Sequence, residues 1–181
     1  MIRHALPGLA ATLGFLAIAG SAPAQTRHDS NAPIDFSANA IELQDRANRA
    51  VLTGGVTIRQ STMTLTADRV VVAYVGQITE GASPQASRMD ATGNVTVTRP
   101  DQTAKSRFAV YDVNRRVVTM IGGVQLTQGA NTLTGGRLSI DLDTGRATID
   151  GSGVGTTRAP DGTVQQSGGR VTGRFSVPRR N

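Results

Sequence analysis

Val51-Leu52-Thr53-Gly54-Gly55-Val56-Thr57-Ile58 is the stretch that decides how this chain folds. Apolar and polar residues alternate on both sides of a glycine pair, the period of a strand with one dry and one wet face. The unit recurs as Asp90-Ala91-Thr92-Gly93-Asn94-Val95-Thr96-Val97 and as Thr119-Met120-Ile121-Gly122-Gly123-Val124-Gln125-Leu126. A degenerate copy follows at Ile149-Asp150-Gly151-Ser152-Gly153-Val154. Each copy leads into an arginine and another alternating strand: Asp68-Arg69-Val70-Val71-Val72, Ser106-Arg107-Phe108-Ala109-Val110, Gly136-Arg137-Leu138-Ser139-Ile140 and Gly169-Arg170-Val171-Thr172. A recurring strand-and-turn unit implies stacked rungs, each burying its apolar side on the next.

Aligning the copies on Gly54, Gly93, Gly122 and Gly151 puts Leu52, Ala91, Met120 and Ile149 in one column. Ala50, Met89, Val118 and Ala147 share the position two residues earlier, and every residue of both columns is apolar. Both columns are therefore expected to point inward, with Val56/Ile58, Val95/Val97 and Val124/Leu126 continuing the same face. In the arginine strand after the second copy, Phe108 is expected inward and Ala109 outward. Ile34 and Phe36 alternate with Asp35 and Ser37, and Ile41 and Leu43 flank Glu42. No stretch beyond the first residues has a 3.6-residue period, so the fold class is all-β. Asn48-Arg49, Asn114-Arg115 and Gly145-Arg146 precede repeats and offer Asn or Gly for positive φ. Copies are spaced 39 and then 29 residues apart, and the excess falls at Val75–Arg88, a loop insertion between rungs.

The chain opens with Arg3 and His4, an apolar run from Leu6 to Ala19, and Ala22-Pro23-Ala24. That layout predicts a signal peptide over 1–24, with an uncleaved membrane anchor as the competing reading. Cleavage after residue 24 leaves 157 residues, enough for one domain. The division expected is a flexible N-terminal segment at 25–33, a β domain at 34–173 and a basic tail at 174–181. Cysteine and tryptophan are absent. The core must come from Val, Ile, Leu and Met on strands, and an exported chain without disulfides suits a bacterial periplasm.

The inventory argues against catalysis. His28 is the one histidine outside the leader, and in a polar segment it reads as a solvated residue. No Cys/His metal spacing exists and no Ser/His/Asp set can be assembled. Asp141, Asp143 and Asp150 suggest the paired carboxylates of a polysaccharide enzyme, but Asp141 alternates outward and Asp143 opens a turn. No glycine pair is followed by Lys-Ser/Thr at the spacing of a phosphate loop. The chain reads as a non-enzyme that needs no cofactor and no metal. Its formal charge is +6, carried by arginine with Lys105 as the single lysine. Few aromatics are present to stack on bases, so nucleic acid is a poor partner, whereas arginine suits phosphate and carboxylate groups.

Ala32-Pro33-Ile34-Asp35-Phe36-Ser37-Ala38, then Thr53-Gly54-Gly55-Val56, then Leu65-Thr66-Ala67-Asp68-Arg69-Val70-Val71-Val72 resemble the OstA-like (LptA) family of lipopolysaccharide-transport bridges. The likeness spans nearly all of the mature chain and includes the long loop after the triple valine. Gly55 and Gly123 depart from it, standing where the family usually has Asn. The resemblance implies a twisted, incompletely closed β-jellyroll, a solenoid-like stack of antiparallel strands with an apolar interior groove. It implies a periplasmic protein that takes lipopolysaccharide, or a similar anionic amphiphile, from an inner-membrane complex and passes it to an outer-membrane one. End-to-end stacking of copies and pairing with partners through edge strands are implied as well. By position, Ser30, Ile34 and Phe36 match the family's lipid-contacting N-terminal region, and Phe108, Val110 and Val97 its mid-groove strands. Leu52, Val56, Ile58, Met120 and Leu126 are the inward residues that would complete the lining.

Physics is compatible with that implication. A buried methylene contributes about 0.8 kcal/mol, so acyl chains need a continuous dry channel to cross water. The inward columns fit such a channel, and they fit an ordinary closed core equally well. A structural or adhesive β-solenoid without ligand is the reading from a different class, and an inner-membrane-anchored relative is the alternative within the family.

Overall fold

Positive-φ residues interrupt three long strands near their middles, and the architecture follows from those interruptions. The computed structural model describes residues 28–76, 84–158 and 164–174, and of 152–158, 164–168 and 174 the backbone alone. The predicted signal peptide and nearly all of the basic tail lie outside the described residues. Short strands β1 (Asp35–Ser37) and β2 (Ala40–Gln44) precede a 3-10 turn at Asp45–Ala47. Long strands follow: β3 (Arg49–Gln60), β4 (Met63–Val75), β5 (Gln85–Arg99), β6 (Gln102–Asp112), β7 (Val117–Gln128) and β8 (Asn131–Asp141). Then come β9 (Ala147–Asp150), β10 (Ser152–Arg158), β11 (Val164–Gly168) and β12 (Thr172–Arg174).

Strands β3 to β8 form an antiparallel meander, each paired to the next. At one edge β1 and β2 pair with successive halves of β3. At the other, β12 and β9 pair with successive halves of β8. The sheet therefore keeps two free edges and is not closed. Strands β10 and β11 make a separate hairpin.

Gly54 and Gly55, Gly93 and Asn94, and Gly122 and Gly123 all have positive φ, from 46° to 88°. The register slips by one residue at each: Thr53 pairs with Arg69 but Val56 with Ala67, and Thr92 with Phe108 but Val95 with Ser106. Ile121 pairs with Arg137 but Val124 with Gly135. These are β-bulges, and bulges lying side by side bend the sheet along a common line. One leaf carries the row Ile58, Leu65, Val97, Ala104 and Leu126; the other carries Leu52, Val70, Ala91, Ala109, Met120 and Leu138. All of these side chains are 0% to 5% exposed. A single sheet layer cannot dry its face so completely, so the leaves cover one another. Tyr111 of the second leaf bears this out by donating to Gln60 Oε1 at the far end of β3, 2.6 Å away.

Both aligned columns point inward as expected: Leu52, Ala91, Met120, Ala50, Met89 and Val118 are buried, and Ile149 and Ala147 pack on the same core. The arginine strands correct the sequence reading. Ala109 is 1% exposed and Phe108 is 46% exposed, so their predicted orientations are inverted. Two consecutive residues face out at each step of these strands: Asp68-Arg69, Arg107-Phe108 and Gly136-Arg137. Arginine takes the second place in β4 and β8 but the first in β6. Aligning on arginine therefore shifts β6 by one residue, which moves Phe108 and Val110 to the outer face. A second correction concerns the turns: Asn48 and Gly145 have positive φ as expected, but between β6 and β7 Arg116 does, not Asn114. Arg115 N–H there donates to Asp112, and Arg116 N–H to the Val113 carbonyl, which sets the turn two residues later.

Candidate functional site

The inner face changes character across the sheet. In the middle it is a packed core, in which Leu52, Val56, Ile58, Val97, Met120 and Leu126 touch one another and exclude solvent. At the β1/β2 edge the same face is bare. Phe36 pairs with Ile58, Ile41 with Leu52, and Leu43 with Ala50, so all three project on the inner side. They are nevertheless 57%, 49% and 52% exposed. Ile34, beside them, is partly buried against the core. Ile41 and Leu43 are visible as an alternating pair in the sequence, yet nothing local marks them as edge residues; only the pairing order does.

The boundary of the leaves away from the bend line, where their turns meet, is polar and tied shut. Residues 28–32 run across it as a strap. Gln60 Nε2 donates to the carbonyls of Ser30 and Ala32, each at 3.0 Å. Ser30 Oγ donates to Asp143 Oδ1 at 2.7 Å, and Arg116 reaches both Asp143 and Asn31, at 3.0 and 2.8 Å. Asp29 N–H donates to Ser61 Oγ. Reading 25–33 as a loose polar segment misses these bonds, because their partners lie 28 to 113 residues away. Ser30 is thus fastened to a turn in this structure.

His28, the first residue of the strap, is buried, not solvated as its polar surroundings imply. Burial and the Arg99 guanidinium hold its pKa below the ordinary value of 6.5. Asp143 is held below the usual carboxylate range by the Ser30 hydrogen bond and by Arg116. Asp141 is lowered too, through the Thr144 backbone N–H. A glycosidase acid needs a raised pKa, so neither carboxylate suits that role. Among the described residues no group of three His, Cys, Asp or Glu could hold a metal, and no helix is long and apolar enough to cross a membrane.

Of the sequence-predicted site residues, the structure brings six into the packed interior and places Phe36 and Ile34 at its bare edge. Phe108 stands outside with Arg107 over its ring at 5.9 Å, and Val110 is half-buried on the same outer face.

Residues 35–146 match the family described as LptA/(LptD N-terminal domain) LPS transport protein. The chain belongs to this family. A Rhizobium meliloti (strain 1021) protein described as uncharacterized is 30% identical over 157 residues, covering 82% of this chain and 84% of its own length. The fold is similar to the crystal structure of LptH, the LptA-homologous periplasmic component of the lipopolysaccharide transport device of Pseudomonas aeruginosa. That likeness has a TM-score of 0.64 at 20% identity and covers 83% of this chain and 99% of the other. The β-jellyroll expected from the sequence is thus the LptA-like fold, and a transport family accords with the reading of a non-enzyme.

Proposed function

We propose that this LPS transport protein is a periplasmic carrier that holds lipopolysaccharide acyl chains between its two leaves, entering at the β1/β2 edge. The observation that carries this reading is the exposure of Phe36, Ile41 and Leu43 on the inner face. These side chains extend the buried rows beyond the last covered strand, so an acyl chain laid on them continues the core. At about 0.8 kcal/mol per buried methylene, a few contacts of this kind hold a lipid without trapping it. The packed middle supports a modest further step: acyl chains advance inward only as the leaves part along the bulge line. The free edges at β1/β2 and β9/β12 suit strand pairing with inner- and outer-membrane transport partners or with copies of this chain.

Photocrosslinking in cells tests the reading, with probes at Ile41 and at outward Glu42. Lipopolysaccharide adducts are expected at Ile41 and not at Glu42. Protein adducts alone at Ile41, with no lipid adduct, would turn this edge into a docking strand and overturn the lipid-entry reading.

A further inference from the structure

The polar boundary holds a second feature that the lipid path does not use. The β5–β6 turn, the β8–β9 turn and the strap surround a recess of about 590 Å3, lined among others by His28, Thr62, Arg99, Gln102 and Gly145. Among the described residues, the buried side-chain polar atoms without a protein partner are His28 Nε2, Arg99 Nε and Gln102 Oε1. All three line this one recess. Leaving a buried polar group unpaired costs about 1–3 kcal/mol, more when it is charged, so three orphans converging from two segments point to a ligand.

The recess also has a definite chemical sense. Arg99 and Gln102 pair across the β5–β6 turn on the inner face, and the Arg99 guanidinium lies against the Gly145 turn, where an added Cβ would stand 3.5 Å from Nη2. The carboxylates of the lining are already engaged: Asp143 holds Ser30 and Arg116, and Asp101 accepts from Gln128. What remains is a guanidinium donor, an imidazole and one amide oxygen. A guanidinium and an imidazole N–H together suit a tetrahedral oxyanion, and the amide oxygen suits a hydroxyl beside it.

We propose that this recess binds a phosphate monoester of a sugar, with Arg99 and His28 donating to phosphate oxygens and Gln102 accepting from a ligand hydroxyl. The phosphate comes from a lipid headgroup or from a soluble ester; the first source rests on the carrier reading above, the second does not. Three charged groups face His28: Arg99 on β5, Asp29 on the strap and Asp143 on the β8–β9 turn. A bound phosphate outweighs Arg99 and favours the imidazolium, so ligand raises the titration midpoint of His28.

The test follows the His28 ring signal by NMR in the full chain, identified by its loss in His28→Gln. Inorganic phosphate, added at constant ionic strength, is expected to shift it saturably and to raise its titration midpoint. Arg99→Lys keeps the charge but loses the planar fork, and should weaken binding about tenfold or more in a protein whose backbone spectrum is unchanged. A linear, non-saturating response, or an Arg99→Lys variant that binds as well as the parent, overturns the site. Tighter binding of glucosamine 1-phosphate than of phosphate supports the sugar and the Gln102 contact, whereas equal binding overturns both and leaves a site for phosphate alone. Saturable phosphate binding without lipid adducts at Ile41 would sink the carrier reading alone; adducts without phosphate binding would sink this site alone.

Discussion

Leu52 and Ile41 are register partners on one inner face, yet Leu52 is 1% exposed and Ile41 49%. Chemistry does not separate them, since both are aliphatic residues in alternating strands. Position does: Leu52 has β4 on one side, β2 on the other and the facing leaf above it, whereas β2 is the last strand of its leaf. The same pattern thus makes a core in the middle and an exposed apolar surface at the rim. In a closed barrel the rim would not exist. The open sheet is what leaves part of the hydrophobic face uncovered, and the proposed lipid entry rests on that uncovered part.

The largest effect that tests this contrast comes from paired truncations. Leu138→Ala, fully buried in the second leaf, should cost about 2–5 kcal/mol by urea unfolding. Ile41→Ala should change stability by no more than about 0.5 kcal/mol while reducing lipid adducts at a probe placed at Leu43. If Ile41→Ala destabilised as Leu138→Ala does, the edge would be core, and the division between core and rim would fail.

Glycines on the bend line give a smaller effect and ask what keeps the middle covered. Gly93 has φ +80° and its missing Cβ would collide with the Asp68 carboxylate. Gly93→Ala should cost about 1–3 kcal/mol and loosen the leaves, speeding hydrogen exchange in the Met120 row before the whole protein unfolds. Gly55, at φ +57° with open space around it, is the control. Gly55→Asn should lie within about 0.5 kcal/mol of the parent, since Asn tolerates this backbone and Asn94 already adopts it at φ 46°. Equal costs at both positions would mean that the side-chain collision at Gly93 contributes nothing.

These elements also separate what alternation encodes locally from what only folding brings about. The inward columns through Leu52, Met120 and Val118 are legible in the sequence because alternation and repetition act locally, whereas the bulges at the recurring glycines emerge only from the strand register. Phe108 defeats that reading because one extra outward residue in β6 changes every later side chain's face, and no propensity marks where that residue falls. Exposure of Ile41 and Leu43 depends on which strand ends the sheet, a property of pairing order. The burial of His28 depends on Gln60, Arg99 and Asp143, which come together only once the leaves have folded over. Sequence carries the period; the long-range seam lies beyond it.

Acid offers the gentlest way to set strap against core. His28 and Asp143 both have folded pKa values below their ordinary ones, so both favour the form that dominates at higher pH. For His28 the stabilisation is complete above about 6.5 and is lost as pH falls through the lower folded value. For Asp143 it is complete above about 3.8 and is lost below that. Acidification should therefore loosen the strap in two steps, the first from His28, the second from the Ser30–Asp143–Arg116 cluster. Hydrogen exchange corrected for intrinsic rates reads this directly: amides of Asp29 and Ala32 should lose protection from pH 7.5 to 5, while that of Met120 holds. His28→Gln should remove the first step and spare the second. Strap amides that gain protection on acidification would reverse the sign and show that His28 is stabilised in its charged form. In that case the seam would already favour the charged imidazole that an anion calls for.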